Sequence, residues 1–200
     1  MNSPQPNLTS KADPPSEGRI SRHRLHPLTL VHYPDPMLRK ECVPVERFDS
    51  TLRDIADEMT ALMQSHSGIG LAAPQVGLEQ RLLVCGIETQ LIALANVQIQ
   101  EGTQTGEFVE GCLSLPGIKV NVWRPERIRV SGYDVQGHRR SFAATGLWAR
   151  VIQHELDHLN GVLICDYGHP LAEGCGECPL TLPAVLLEER KHRSRPSRSH

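Results

Sequence analysis

The run His154-Glu155-Leu156-Asp157-His158 holds two imidazoles four residues apart. On a helix turning about 100° per residue they stand about 40° apart on one face and about 6 Å apart along the axis, so both can reach one cation. Glu155 can then turn its carboxylate toward a water held at the ion, the arrangement of metal-assisted hydrolysis. Val151, Ile152, Leu156 and Leu159 make the surrounding helix apolar on most sides. That marks an interior helix, where unpaired His and Glu are costly and rarely sit without a task.

A catalytic ion of this kind takes three protein ligands and keeps one position open, so the third ligand decides the class of enzyme. A third His ten residues after the first would extend the motif toward one group of metallopeptidases, but position 164 is Ile, although Gly161 is in place. A downstream carboxylate would have to be Glu173, Glu177, Glu188 or Glu189, all in a short Gly- and Pro-rich stretch. The alternative is Cys112, in Glu110-Gly111-Cys112-Leu113-Ser114-Leu115-Pro116-Gly117, a turn-rich segment ahead of a strand. A thiolate is a strong, soft donor for divalent iron or zinc, and Gly111 permits close backbone approach. By itself the segment is also open to a buried structural cysteine. A further stretch, Gly68-Ile69-Gly70-Leu71-Ala72-Ala73-Pro74-Gln75-Val76-Gly77, has small residues that leave room for a substrate backbone. Its Gln75 carries amide N–H groups able to donate to an oxyanion.

The elements that must position these groups follow from periodicity. Between Phe48 and Ser65 the residues Leu52, Ile55, Ala56, Met59, Leu62 and Met63 recur at helical spacing, with Asp49 or Ser50 as N-cap and Gly68 as the stop. Segments 81–87, 91–99, 118–123, 126–133 and 140–144 are short and rich in branched residues, which predicts strands, and Gln136-Gly137 predicts a hairpin turn between the last two. Gly146 to Asn160 predicts the metal-binding helix, ended by Gly161. The sum is an α+β domain of mostly antiparallel strands around a central helix.

Composition excludes several classes. The 200 residues carry 21 Lys plus Arg against 23 Asp plus Glu, so no basic field exists to hold nucleic acid or an anionic membrane. The longest apolar stretches, such as Leu91 to Ala95, fall far short of the roughly 20 residues of a membrane span. The cysteines are Cys42, Cys85, Cys112, Cys165, Cys175 and Cys178, and no signal peptide precedes them, which reads as a reducing compartment. Cys42, Cys85 and Cys165 sit in apolar contexts and are expected in the core. Residues 1–27, with their prolines and serines, are expected to form a disordered leader, residues 28–170 the catalytic domain, and residues 171–200 a flexible tail. Arg19, Arg22 and Arg24 give the leader a faint look of an organelle transit peptide, against which Asp13, Glu17 and the prolines argue. Cys175 and Cys178 have the spacing of half a zinc knuckle without a second pair.

Gly-Ile-Gly-Leu-Ala-Ala-Pro-Gln, Glu-Gly-Cys-Leu-Ser and Gln-His-Glu-Leu-Asp-His, in this order and spacing, resemble the signature motifs of peptide deformylases. The likeness runs from about Leu28 to Asp166 and takes in Arg124-Pro125-Glu126-Arg127-Ile128 and Gly146-Leu147-Trp148-Ala149-Arg150. The resemblance implies removal of the formyl group from the N-terminal formyl-methionine of new polypeptides, with release of formate. It implies Cys112, His154 and His158 as ligands of Fe²⁺, with Zn²⁺, Ni²⁺ or Co²⁺ as substitutes, and water in the fourth position. Glu155 would carry the proton, Gln75 and the backbone N–H of Leu113 would stabilise the oxyanion, and the backbone around Ile69, Gly70 and Gly111 would pair with the extended peptide. Formylmethionyl peptides and nascent chains would be the partners, with transient contact at the ribosome, in a bacterial-type cytoplasm. No membrane and no sequence-specific nucleic acid are expected.

Glu110 and Gln153, next to the ligands in sequence, are expected to fix them, and Asp157 with Arg124 to form a supporting ion pair. Two departures from the family pattern stand out. Asn96 is followed by Val97 where many members have Pro, and after Tyr167 only the short apolar run Pro183 to Leu187 recurs. The rival readings are a zinc metallopeptidase with a non-cysteine third ligand and a catalytically dead binding module, which should lack a ligand, Gln75 or Glu155.

Overall fold

The computed structural model describes residues 27–168. Apart from Pro27, the leader, and with it the tail holding Cys175, Cys178 and the run Pro183 to Leu187, lie outside the described residues.

Helix α1 spans Ser50–Ser65, and the Asp49 carboxylate caps it by accepting the N–H of Leu52 at 3.2 Å. Leu52, Ala56, Met59 and Met63 are its buried stripe, each large side chain contributing about 1.5–3 kcal/mol by leaving water. Ser67, not Gly68, takes the left-handed conformation after the helix, at φ 54°. Gly68 is needed for another reason: a Cβ there would stand 2.7 Å from Leu113 Cδ1.

Strands β1 (Gly70–Ala72), β2 (Leu82–Ile87), β3 (Gln90–Cys112), β4 (Leu115–Tyr133) and β5 (Arg139–Thr145) form one antiparallel sheet in chain order. The expected breaks at 99 and at Pro125 are absent. β3 continues through the polar stretch 101–107 and pairs with an uninterrupted β4, with Gly102 opposite Ile128 and Thr105 opposite Pro125. Gly102 accommodates the proline ring, since a Cβ there would come within 2.6 Å of Pro125 Cβ. Turn-like composition in this stretch is therefore a packing requirement of the partner strand. Asn96, at φ 53° beside an irregularity in the β3–β4 register, exchanges hydrogen bonds with the Val45 backbone through its side-chain amide.

Helix α2 spans Gly146–Leu159 and packs on β1, β2, β4 and β5. Ala149, Val151, Ile152 and Leu159 join Leu83, Cys85, Val97, Ile128 and Val130 in one core cluster. The helix ends where Gly161, at φ 69°, turns back, and its N–H and that of Val162 return to the carbonyls of His158 and Asp157. Cys42, Cys85 and Cys165 are buried, as expected. Among the described residues no helix is long and apolar enough to cross a membrane.

Candidate metal centre

Cys112 is the last residue of β3, and the expected turn ahead of a strand is the tight connection through Leu113 and Ser114 that leads into β4. There it faces α2. Its Sγ lies 3.2 Å from His158 Nε2, which lies 3.2 Å from His154 Nε2. The three donor atoms all fall within 4.8 Å of one another, the one such group among the described residues. Around a tetrahedral ion with bonds of about 2.0–2.3 Å, neighbouring donors stand about 3.3–3.8 Å apart, so this corner fits a divalent cation with little movement.

The groups behind the ligands agree with that. His154 Nδ1 meets Glu110 Oε2 at 3.0 Å. A carboxylate only accepts, so Nδ1 carries the proton and Nε2 is left to offer its lone pair. Arg124, 4% exposed, grips both Glu110 oxygens at 2.7 and 2.9 Å and reaches Asp157 Oδ2 at 2.8 Å, so the expected Asp157–Arg124 pair is present. Burial works against the charge on Glu110, but its hydrogen bonds with His154 and Arg124 outweigh burial and hold the carboxyl well below its usual range. Burial also opposes the charge on Arg124, and Asp157 and Glu110 reverse that, keeping it firmly cationic. His154 is raised because hydrogen bonds to Cys112 and Glu110 overcome its burial, while burial and the charge of His154 push His158 well down.

Gln153 departs from expectation. Its Nε2 donates to the carbonyls of Pro125 and Ala149 and touches no ligand, so it ties α2 to β4. The residue sequence reasoning passed over is Arg150, one helical turn before His154. It binds Glu110 Oε1 at 2.9 Å and the carbonyls of Val122 and Gly106. Its spacing of four from a ligand, on the same helix face, was the available signal.

Glu155 is 3% exposed, its Oε2 has no hydrogen-bond partner, and burial pushes its carboxyl up to about 7 despite the opposing charge of His154. Gln75 sits in the short 3-10 turn Ala73–Val76 after β1, where its Oε1 accepts the Ala72 N–H at 2.7 Å. That fixes the amide so that Nε2 points to Ser114 Oγ at 3.3 Å and Cys112 Sγ at 3.6 Å. A cleft of about 380 Å³ is lined by Ile69, Gly70, Gln75, Gly111, Cys112, Leu113, His154 and Glu155 among others. His158 lies behind it, fully buried. Among the described residues β1 is the terminal strand of the sheet, so one edge of its backbone has no strand neighbour there. Exposed Ile69, Phe108, Val109 and Leu147 rim the opening.

Residues 27–173 match the family model described as "Polypeptide deformylase". The chain is 43% identical over 146 residues to "Peptide deformylase" of Picosynechococcus sp. (strain ATCC 27264 / PCC 7002 / PR-6), covering 70% of this chain and 78% of the relative. Among solved structures, the peptide deformylase from Thermotoga maritima is similar with a TM-score of 0.69 and 42% identity over 70% of this chain and 97% of that one. The Met-Ala-Ser-bound class I type b peptide deformylase from Acinetobacter baumannii aligns with a TM-score of 0.67 and 30% identity, over 70% and 96% of the two chains.

Proposed function

The chain belongs to the polypeptide deformylase family, and from that premise we propose a specific division of labour among the residues of its cleft. The enzyme is a metal-dependent hydrolase that removes the formyl group from the N-terminus of newly made polypeptides.

Cys112 Sγ, His154 Nε2 and His158 Nε2 hold the cation, and the convergence of these atoms beside a buried carboxylate is the observation that carries the reading. Their thiolate and imidazole chemistry suits Fe²⁺, with Zn²⁺, Ni²⁺ or Co²⁺ able to occupy the same donors. When bound, the ion supplies a Lewis acid that polarises the formyl carbonyl and lowers the pKa of water.

Glu155 takes the proton of the attacking water at its carboxylate and later delivers it to the leaving amine nitrogen. A carboxyl drawn up to about 7 by burial is suited to both directions near neutral pH. Gln75 Nε2 and the N–H of Leu113 donate to the oxyanion formed from the formyl oxygen. The backbone of Ile69, Gly70 and Gly111 pairs with the extended substrate, for which the edge position of β1 leaves room. The apolar rim of Ile69, Phe108, Val109 and Leu147 suits the side chains of the peptide. The catalytic unit is residues 28–170, acting in a bacterial-type cytoplasm on formylmethionyl peptides and on chains leaving the ribosome.

Formate release from a formyl-Met peptide, measured under reducing conditions on the Fe²⁺-loaded protein, tests the reading. Turnover that disappears with metal binding in Cys112→Ala is the expected result. Formate release and metal binding that persist in Cys112→Ala would remove Cys112 from the ligand set, and cleavage of internal bonds in place of formate release would replace the reading with a peptidase.

A further inference from the structure

Tyr167 follows the 3-10 turn Ile164–Asp166, beyond every residue used in the chemistry above. Its hydroxyl donates to Asp157 Oδ2 at 2.8 Å, the same oxygen that accepts Arg124 Nη1. Its ring lies against the same guanidinium, with the Arg124 carbon 5.1 Å from the ring centroid. Arg124 grips both oxygens of Glu110, and Glu110 meets His154 Nδ1. A continuous path thus leads from the phenol through Asp157, Arg124 and Glu110 to an imidazole.

We propose that Tyr167 is a positioning residue for the metal ligand His154, acting through Asp157 and Arg124; the inference rests on the metal-site reading above. Of the two carboxylates that bracket Arg124, Glu110 is 5% exposed and Asp157 is 20% exposed. Glu110 is confined by packing, whereas Asp157 can turn toward water. The phenol pins Asp157 at the oxygen it shares with Arg124, and its ring covers one face of the guanidinium. With both held, Arg124 cannot rotate off Glu110, and the Glu110 carboxylate keeps the orientation that fixes the His154 ring.

Tyr167 is anchored in turn. Asp166, beside it, is buried, accepts the N–H of Leu163 at 2.9 Å and is gripped by both terminal nitrogens of Arg39. The Tyr167 N–H returns to Ile164 O at 3.1 Å. The segment that leaves α2 therefore folds back to brace the helix carrying the ligands.

The test uses full-length protein loaded with Co²⁺, reading the visible absorption of the bound ion, its release to excess chelator, and the separate kcat and KM for a formyl-Met peptide. Tyr167→Phe keeps the ring and removes the hydroxyl; Tyr167→Leu removes both contacts. Leu52→Ala, in the α1 core, serves as a control for general loosening. Removing a direct support of a ligand costs about 10- to 100-fold in metal affinity. For this more distant link, Co²⁺ release about 3- to 10-fold faster is expected in Tyr167→Phe and faster still in Tyr167→Leu. The ligand-field bands should shift, kcat should fall and KM should stay unchanged. Wild-type release rates and spectra in Tyr167→Phe, or equal acceleration in Leu52→Ala, would overturn the proposal. If Tyr167→Leu fails to fold, Tyr167→Phe, which preserves shape, decides it. Wild-type protein that takes up no Co²⁺ would instead defeat the metal-site reading beneath it.

Discussion

A Cβ on Gly70 would stand 2.1 Å from Glu155 Oε1 and 2.8 Å from Val151 Cγ1. The carboxylate thus lies directly against the backbone of the edge strand, and only glycine leaves it there. Gly70→Ala must push Glu155 aside, because the strand is fixed by its pairing with Cys85. We expect kcat to fall by at least about 10²-fold, the lower range for a displaced proton carrier. Metal content should hold, since the atoms an added Cβ would meet first belong to Glu155 and Val151 and not to a ligand. Kinetics and metal analysis on one preparation check this; kcat near wild type would mean that Glu155 need not sit where it does.

Arg124→Met tests the buried charges. Arg124 and Glu110 are 4% and 5% exposed, and the guanidinium also meets Asp157. Removing one partner of a buried pair leaves an uncompensated charge and costs about 3–5 kcal/mol. Chemical denaturation should register a loss of that size, and metal affinity should fall with it as Glu110 loses its hold. A loss under about 1 kcal/mol would show that water reaches Glu110 and replaces the arginine.

Legibility in the sequence divided along physical lines. Helix α1 was readable because Leu52, Ala56, Met59 and Met63 report burial at one period and Asp49 reports the cap. α2 was readable because its apolar surround made His154, Glu155 and His158 anomalous. β1 was not, since Gly70-Leu71-Ala72 has little strand propensity and becomes a strand through the edge offered by Leu83 to Cys85. The length of β3 was hidden because Gly102 and Gly106 look like turn residues, whereas each makes room for a β4 side chain, Pro125 and Glu126. Arg150 was passed over because its task depends on Glu110 arriving from β3, far away in sequence. Long-range partners are set by topology, which local pattern does not encode.

Asp134 sets a pH dependence away from the cleft. Its carboxylate accepts the N–H groups of Gln136 and His138 and the Nε of Arg140, holding the β4–β5 turn. Burial acts against the charge, but these bonds prevail and lower its pKa from 3.8 to about 2. A carboxyl depressed in the folded state binds its proton more readily when unfolded. Its stabilisation is therefore complete above the unfolded value and is lost as pH falls from about 4 to about 2. The stability difference between wild type and Asp134→Asn, followed by denaturation across this range, should shrink toward the acid end. A gap independent of pH would assign the effect to turn geometry instead of charge.

Glu155→Gln separates the proton carrier from the ligands. Glu155 lies between the ligating His154 and His158, yet neither of its oxygens belongs to the group of donors that converges. Its buried Oε2 has no partner, which leaves it available to water. Gln is nearly isosteric and cannot carry the proton, so metal should remain close to stoichiometric while turnover falls. General acid–base catalysis contributes about 10²- to 10⁴-fold. Because one carboxylate serves both the attack of water and the departure of the amine, the loss should reach the upper end of that range. In Cys112→Ala and His154→Ala the removal of one of three donors should empty the site. The two kinds of variant are then equally inactive for different reasons, which metal analysis distinguishes and kinetics alone does not. Near-normal deformylation by Glu155→Gln would leave the family intact and require another base, for which Glu110 and His154, the other carboxylate and the imidazole lining the cleft, are the groups to test next.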